Sequence, residues 1–559
     1  MKNSYRFALW VILPALWPAV LRAQEEKELA PVSRVYAITN VTVVQGPGRK
    51  IDGGTIVVRN GLIQSVGKGL AVPPDAVVLK GDSLYVYAGF IDGLSRIGVD
   101  KPKDENRDRP KDPGNPPPDR AGITPQVDVR NYLSPTDRSI EDFRNAGFTT
   151  AQVVPYGGML PGSGAIVSLG GKSMDDRVLV SKSALYTEFT LSERIYPATI
   201  LGYMAKWRDL YRQASLDKSY ETLYAANRAG LERPATDRVS EAFYPVIDKQ
   251  IPVLFKSEKV LEVHRALLLQ KDLGFNVTVA EVKEGWDVMD KLKAAKAKVF
   301  LSLELPEDKK EDKKKDEKKE EPKGAEATER AALEKRKKEV TQQYVGQAAA
   351  FQKAAVPFGF STLSVKPGDV QANLRRIIAA GLTEDQALAA LTTTPAQLLG
   401  LSDRLGSIDP GKVANLVISR KPYFQEKSKV KHVFVDGVLY TNEQKDDKKP
   451  GSQNINADAL GTWSYTAETP QQVTKGTIKL NRDNSAFNGT ITGNLTDKAY
   501  ELKDIVLEGS NLSFYYEVEF QGEMLKIEVS VKIDGKAFDG SMIAGKYGSF
   551  PMKGTKEPQ

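Results

Sequence analysis

GFIDGLSRIG, residues 89–98, decides the fold, because an apolar run typical of a buried strand passes directly into an exposed loop. Further apolar strands recur up to residue 400, and amphipathic segments such as VLEVHRALLLQKDLG, residues 260–274, separate several of them. Repeated β-then-α units over about 300 residues favour a parallel sheet that closes into a barrel. The sequence therefore predicts an α/β fold with a TIM-type (β/α)8 barrel over residues 89–400.

Short alternating segments flank this barrel on both sides. Residues 24–88 contain several of them, with Asp-Gly-Gly and Asn-Gly turns, and residues 401–442 have the same character. Asn-Gly between two alternating segments is a strong hairpin signal. We therefore expect one composite β-sandwich, built from both flanks, into which the barrel is inserted.

The remainder of the chain contains a second β-rich region and two polar segments. Alternation resumes over residues 461–556, which predicts an independent antiparallel β-barrel or sandwich of about seven or eight strands. Residues 443–460 form a polar linker before it. Within the barrel, residues 306–324 include fifteen consecutive charged residues, 307–321. Such a run cannot pack into a core, so we expect a solvated insert.

The N-terminus has the organisation of a secretory signal peptide. Lys2 and Arg6 precede an apolar run over residues 7–21, and the small residue Ala23 follows. This order predicts cleavage after residues 1–23. We therefore expect a periplasmic or secreted protein, with no membrane span once the signal is removed.

Composition excludes two classes of function. The chain has no cysteine, which removes disulfides and thiolate metal sites. Its net charge of +7 includes Lys2, Arg6 and Arg22, and +4 remains when those three are subtracted. So small a charge on a long chain gives no reason to expect nucleic acid as a partner.

Five segments together resemble a known family. They are GLIQSVG (61–67), YAGFIDG (87–93), NAGFTTAQVVP (145–155), IIAAGLTEDQALAALTTTPAQLLGL (377–401) and RLGSIDPGKVANLVI (404–418). In order and spacing they are similar to the amidohydrolase superfamily, and within it to the imidazolonepropionase-like secreted branch. The resemblance covers residues 36–442, and the C-terminal β-domain is similar to one often appended to secreted members.

The resemblance implies a metal-bearing barrel that hydrolyses a non-peptide carbon–nitrogen bond in a cyclic amide or dipeptide-like substrate. In this family a zinc or other divalent ion activates water, and an aspartate moves the proton. The metal requires strong donors such as neutral imidazoles.

Carried over residue by residue, the family's metal site is missing from this sequence. The two histidines after the first strand become Leu94 and Arg96, the histidine of the fifth strand falls at or beside Lys256, and the catalytic aspartate becomes Leu363. No histidine occurs in the sixth-strand segment, residues 277–286. Leucine donates nothing and the two cations would repel a metal, so we expect no metal and no other cofactor.

Carboxylates near the strand ends are the first candidates for what replaces the imidazoles. Asp92, Glu281 and Glu284 could form an oxygen-rich site for a hard cation. Alternatively, Glu281 or Glu284 neutralises Lys256 or Arg96 in a salt bridge, which is the interpretation we favour. A buried Lys256 with a depressed pKa would instead be a candidate nucleophile or base.

The glycine-rich loop at residues 155–164 supplies two further ligand-pocket candidates, Tyr156 and Ser163. The loop follows a predicted barrel strand, where family members shape the substrate pocket. Ser163 lacks the frame of a nucleophile elbow, so we expect both residues to act in binding rather than in catalysis.

Three functions remain open. The first is a catalytically impaired pseudoenzyme that binds a small molecule, or that pairs with a second copy of the chain or with an active amidohydrolase relative. The second is an active hydrolase of carbon–nitrogen bonds with a non-standard site. The third is a binding protein that acts through its C-terminal β-domain, where aromatics such as Trp463, Phe514, Tyr515 and Tyr516 would line a cavity.

Overall fold

The computed structural model describes residues 35–102, 110–171, 173–192, 194–306, 325–442, 459–468, 473–483, 486–493, 496–508, 510–520, 523–544 and 549–557. The predicted signal peptide, residues 1–23, the charged run, residues 307–321, and most of the predicted linker lie outside these ranges. The chain divides into two compact units, Met1–Glu443 and Gln444–Gln559.

The first unit begins with five strands rich in β-branched residues. They are β1 (Val35–Gly46), β2 (Arg49–Arg59), β3 (Leu62–Lys68), β4 (Ala76–Lys80) and β5 (Tyr85–Ala88). The Asn-Gly turn predicted as a hairpin joins β2 to β3, which pair antiparallel.

Eight further strands form one nearly closed sheet, called the barrel sheet below. They are β6 (Phe90–Ser95), β7 (Phe148–Val153), β8 (Gly162–Ser168), β9 (Val178–Glu188), β10 (Val253–Lys256), β11 (Val277–Val282), β12 (Lys298–Ser302) and β13 (Phe358–Ser361). Neighbours in the sheet follow chain order from β6 to β13. Most of these strands are buried along their whole length, as expected when helices cover the outside of a sheet.

Helices connect most of these strands. They are α1 (Arg138–Asn145), α2 (Met174–Arg177), α3 (Ile200–Ala226), α4 (Arg238–Glu241), α5 (Tyr244–Ile247), α6 (Val260–Leu273), α7 (Met289–Ala294), α8 (Ala325–Lys353), α9 (Val370–Ala379), α10 (Glu384–Leu391) and α11 (Thr393–Leu398), with short 3-10 helices at Val129–Tyr132 and Pro367–Asp369. The Thr383 side chain caps α10, because it accepts a hydrogen bond from the Gln386 backbone N–H at the start of the helix. Among the helices in the described ranges, none has the length and apolar character needed to cross a membrane.

The expected all-parallel (β/α)8 arrangement is wrong for one strand, β8. β8 pairs antiparallel with both β7 and β9, whereas the other neighbouring pairs of the barrel sheet are parallel. The connection from β7 to β8 contains the glycine-rich loop and no helix, and a short connection of this kind permits only an antiparallel partner.

Strands from the two flanks of the barrel join in one sheet. Strands β14 (Leu416–Ser419), β15 (Val430–Val435) and β16 (Val438–Thr441) follow the barrel, and β14 pairs with β5 from the N-terminal flank. The result is a single eight-stranded sheet of order β16-β15-β14-β5-β1-β2-β3, with β4 paired to β1, rather than two separate sheets. Buried residues of both flanks, among them Val43 and Phe434, share one core cluster.

The described part of the C-terminal unit is built mainly from β-strands. Its strands are β17 (Gly461–Glu468), β18 (Val473–Asp483), β19 (Ala486–Gly493), β20 (Thr496–Glu501), β21 (Lys503–Glu508), β22 (Asn511–Phe520), β23 (Glu523–Asp534), β24 (Ala537–Ala544) and β25 (Ser549–Lys556). In the described ranges these strands form one sheet of nine, where seven or eight strands were expected. All neighbouring pairs are antiparallel, and the first strand, β17, lies beside the last, β25. Trp463, Phe514 and Tyr516 lie in its hydrophobic core, while Tyr515 on the opposite face contacts Lys526.

Gly93 permits close packing inside the barrel sheet. A Cβ at this position would lie 1.9 Å from a ring carbon of Phe300, which is fully buried. The backbone φ of Gly93 lies outside the left-handed region, so glycine is required at this position only because a side chain would not fit. A larger residue would force the Phe300 ring or the strand to move.

We predict that Gly93→Ala lowers the free energy of unfolding by about 1–3 kcal/mol, because it overpacks the barrel interior. Gly346→Ala is the matched control, since a Cβ at Gly346 in α8 meets nothing within 4 Å. Alanine in a helix should leave stability unchanged or raise it by about 0.5–1 kcal/mol. Denaturant unfolding measures both variants, and equal stability of the two would contradict the packing argument.

Candidate functional site

Side chains join the first and last strands of the barrel sheet. Asp92 on β6 accepts hydrogen bonds from the backbone N–H groups of Leu94 at 3.1 Å and Thr362 at 3.0 Å, and from the Thr362 hydroxyl. The Ser361 hydroxyl donates to the Leu94 carbonyl at 3.0 Å. These contacts bridge β6 and β13, the two ends of the sheet.

A second buried carboxyl belongs to the same group of contacts. Glu281, at the end of β11, accepts hydrogen bonds from the hydroxyls of Ser302, at 2.6 Å, and Ser361. Its backbone has φ +61°, a conformation that non-glycine residues rarely adopt. The preceding residue, Ala280, faces the barrel interior, and the positive φ of Glu281 turns the Glu281 side chain to that same side.

Burial governs the protonation of both carboxyls. Removal from water raises the pKa of Asp92 to about 7, against the opposing effect of the hydrogen bonds from Thr362 and Leu94. Burial likewise raises the pKa of Glu281. Neither carboxyl is accessible to solvent, so both hold the strands together and neither is presented to a substrate.

An apolar plug fills the barrel beside these carboxyls. It consists of Leu94, Val154, Ala184, Tyr186, Leu254, Ala280 and Phe300, with Leu363, Leu398 and Leu399 packed against it. Two of the positions singled out in the sequence, Leu94 and Leu363, therefore meet in the same cluster. Both are aliphatic side chains, which can neither bind a metal ion nor accept a proton.

Above the plug, six charged side chains alternate in sign. Arg96 pairs with Glu188 at 3.0 Å, and Glu188 lies 3.8 Å from Lys256. Lys256 pairs with Glu258 at 3.0 Å. Glu258 also contacts Lys283, which completes the series by pairing with Glu304. We call this set, from Arg96 to Glu304, the charge chain.

The charge chain contains the two cations that we expected, but their carboxylate partners differ from the predicted ones. Glu188 and Glu258 neutralise Arg96 and Lys256, whereas we expected Glu281 or Glu284 to do so. Strand register explains the difference, because Lys256 lies directly beside Glu188 in the β9–β10 ladder. Register between strands distant in sequence is not visible in the sequence, and that is why Glu188 was missed.

Of the remaining predicted pocket residues, some lie at the charge chain and one does not. The Arg96 guanidinium lies over the ring of Tyr156 at 4.4 Å, so Tyr156 belongs to the site. Ser163 does not join it through its hydroxyl, which donates to the Val127 carbonyl at 3.3 Å. The Glu284 backbone N–H donates to the Glu258 carbonyl, which places Glu284 at the edge of the charge chain.

The residues in the barrel do not fit a metal ion. Across the described ranges, no three His, Asp or Glu side chains come close enough together to hold one. Each carboxylate of the charge chain contacts at least one cation, and both His264 and His432 lie outside the barrel sheet, on α6 and β15. To bind the carboxylate oxygens of the charge chain, a divalent ion would first have to displace the lysine or arginine side chains that contact them.

Known proteins resemble the chain in part of its sequence and in its fold. Residues 303–440 match the model of the amidohydrolase family. An amidohydrolase from Thermotoga maritima MSB8 is 22% identical, with a TM-score of 0.58 over 73% of this chain and 100% of its own. That likeness shows a shared fold.

Two other solved structures are more distant. A prolidase complexed with N-methylphosphonate-L-proline is 14% identical, with a TM-score of 0.42 over 73% of this chain and 100% of its own. Phenylurea hydrolase B is 14% identical, with a TM-score of 0.42 over 73% of this chain and 96% of its own. No curated protein sequence matches the chain.

We predict that Asp92→Asn gains stability relative to the native protein as pH rises from 5 to 8. The pKa of Asp92 is raised to about 7 in the folded state, so its stabilising contribution is complete at low pH and is lost as pH rises through 7. The amide keeps an acceptor for both N–H groups and never ionises. The relative gain should be on the order of 1–4 kcal/mol in the free energy of unfolding.

Asp409→Asn is the control for this titration. The Arg49 guanidinium lowers the pKa of Asp409, so its carboxylate is charged throughout this range and its removal should give an offset that does not vary with pH. Urea unfolding at several pH values measures both variants. A flat difference for Asp92→Asn would contradict the assignment of a buried, largely protonated carboxyl.

We also predict that Lys256→Met lowers the free energy of unfolding by about 1–3 kcal/mol, because it leaves Glu188 and Glu258 without a shared cation. Lys206→Met is the matched control, since Lys206 is about as buried as Lys256 but makes one ion pair, at 3.5 Å, with the exposed Asp209. Its loss should lie within about 0.5 kcal/mol. Equal effects in denaturant unfolding would show that the charge chain contributes no more than a surface pair.

Proposed function

We propose that the first unit is a member of the imidazolonepropionase-like branch of the amidohydrolase superfamily that has lost metal-dependent hydrolysis and serves as a ligand-binding or partner subunit. The charge chain carries this proposal. It fills the mouth of the barrel with alternating cations and carboxylates at the positions where the family needs free donor atoms.

The apolar plug supports the same conclusion. Hydrolysis in this family needs an activated water and a group that accepts its proton. Leu94 and Leu363 can supply neither, and the buried oxygens of Asp92 and Glu281 are engaged by N–H and hydroxyl donors. The Lys256 amine is also occupied, because it lies 3.8 Å from Glu188 and 3.0 Å from Glu258.

We propose a location and partners on the basis of the sequence. The basic, apolar and small-residue order of residues 1–23 supports export to the periplasm or beyond the cell. The partner we propose is a second copy of the chain or an active amidohydrolase relative, in which this subunit would retain a binding role.

We predict that the full chain, purified after expression with added zinc, retains far less than one equivalent of transition metal. It should also show no hydrolysis of cyclic amides or dipeptides. Elemental analysis by mass spectrometry measures the first and product detection measures the second. An active amidohydrolase prepared in parallel controls for metal lost during purification.

A stoichiometric metal in the folded protein would overturn the proposal. Metal-free turnover that Lys256→Met abolishes would instead support the non-standard hydrolase. Ligand or partner binding that disappears only when residues after 454 are deleted would transfer the function to the C-terminal unit.

A further inference from the structure

Five leucine side chains are exposed on two helices that cover the barrel, α3 and α6. On α3 the exposed fractions are 80% for Leu201, 66% for Leu216 and 62% for Leu223, and on α6 they are 63% for Leu261 and 47% for Leu268. A single exposed leucine is common, but several on neighbouring elements mark an interaction site. We call these five residues the leucine patch.

The two helices lie side by side and have already buried their inner faces. The Arg208 guanidinium on α3 pairs at 2.7 Å with Asp272, which is one helical turn beyond Leu268 on α6. Trp207 of α3 and Val263 of α6 both lie in the hydrophobic core of the first unit. The leucine patch is therefore what remains exposed after each helix has packed against the barrel.

The exposed faces of α3 and α6 are large enough for a specific interface. α3 has 27 residues and α6 has 14, which at about 1.5 Å per residue makes them about 40 Å and about 21 Å long. With a diameter of about 10 Å each, they present roughly 600 Å² together. Two such surfaces would bury about 1,200 Å², the lower end of the range of stable protein interfaces.

The outward stripe of α3 has a symmetric order. At about 3.6 residues per turn, its side chains point within about 80° of one another. Leu201 and Leu223 are equally distant from Arg212, and so are Ala205 and Ser219. An antiparallel α3 from a second copy, related by a two-fold axis at Arg212, would place leucine opposite leucine. It would also place a small residue opposite a small residue, which lets the two backbones approach closely.

Two charged residues near the centre of the stripe fit the same arrangement. Arg212 is exposed, and the Asp209 side chain is 72% exposed, with Lys206 as an ion-pair partner at 3.5 Å. In the antiparallel arrangement each Arg212 comes within one turn of Asp209 of the partner subunit. Because the axis also brings the two Arg212 side chains together, these aspartates offset their repulsion.

The same charges disfavour a lipid surface as the occupant. Lipid could cover the leucines, but it would also bury the Asp209 carboxylate among acyl chains, which costs far more than contact with a paired arginine. Symmetry, area and charge therefore agree on one occupant.

We propose that the leucine patch is a dimer interface, in which α3 packs antiparallel against α3 of a second copy about a two-fold axis at Arg212. Of the two partners in the proposed function, this inference selects the second copy. It also goes beyond that function, because it concerns the outer surface of the barrel and applies whether or not the barrel hydrolyses a substrate.

Sedimentation equilibrium of the full chain over a concentration series tests the interface. We expect a monomer–dimer equilibrium with a measurable Kd. Leu216→Glu and Leu223→Glu should each weaken the dimer about tenfold or more, since each leucine is buried twice in the dimer. Leu333→Glu is the matched control, because Leu333 is 52% exposed on α8, outside the patch, and its replacement should leave Kd unchanged.

A charge exchange tests the antiparallel arrangement itself. Asp209→Arg and Arg212→Asp should each weaken the dimer about tenfold, because each places like charges opposite one another. An equal mixture of the two variants should dimerise again, since each then supplies the charge that the other lacks. Recovery on mixing cannot come from an effect inside one copy.

Three results would overturn the interface: a chain that stays monomeric at every concentration, a Kd that the leucine substitutions do not change, or a mixture of the charge variants that stays monomeric. Sedimentation of the monomer with phosphatidylcholine vesicles, lost in Leu216→Glu, would assign the patch to lipid and overturn it as well. Metal content and hydrolysis, measured on the same preparation, decide the proposed function separately.

Discussion

Closure of the barrel sheet depends on a carboxyl rather than on a backbone ladder. Asp92 collects two N–H groups and a hydroxyl across the junction of β6 and β13, and Ser361 links Leu94 to Glu281. Burying a charged carboxylate costs several kcal/mol unless its oxygens are paired, and protonation lowers that cost further. The junction therefore favours a largely neutral carboxyl, and the polar interior of this barrel is structural in origin.

That constraint determines what the rest of the barrel can do. The inner carboxyls take part in closure, and in the layer above the apolar plug each carboxylate contacts a cation. Alternation is the arrangement in which several charges tolerate partial burial, because every charge is offset by a neighbour of opposite sign. The same alternation keeps the carboxylates from converging on a common ion.

The sequence predicted the positions of the site better than its contacts. Leu94, Arg96, Lys256 and Leu363 follow motifs with fixed spacing, so their convergence at the barrel mouth could be anticipated. Glu188 could not, since it becomes a partner of Lys256 only through the register of β9 and β10. The inward turn of Glu281 was equally hidden, because nothing in VAEVKEG signals a positive φ at a glutamate.

The fold shows a similar division. Apolar runs and turn residues predicted where the strands of the barrel and of the flanks lie. An apolar run does not show in which direction a strand runs, so the antiparallel direction of β8 was not predicted.

Cations at the mouth of the barrel need carboxylate partners close by. Arg96 and Lys256 cannot remain half-buried without counter-charges, and Glu188 meets that need with one oxygen toward each of them. Lys256 also lies 3.0 Å from Glu258, so each of the two cations has its own close counter-charge. Removing any one member would leave a neighbour of opposite sign partly buried and short of a partner, so these charges depend on one another.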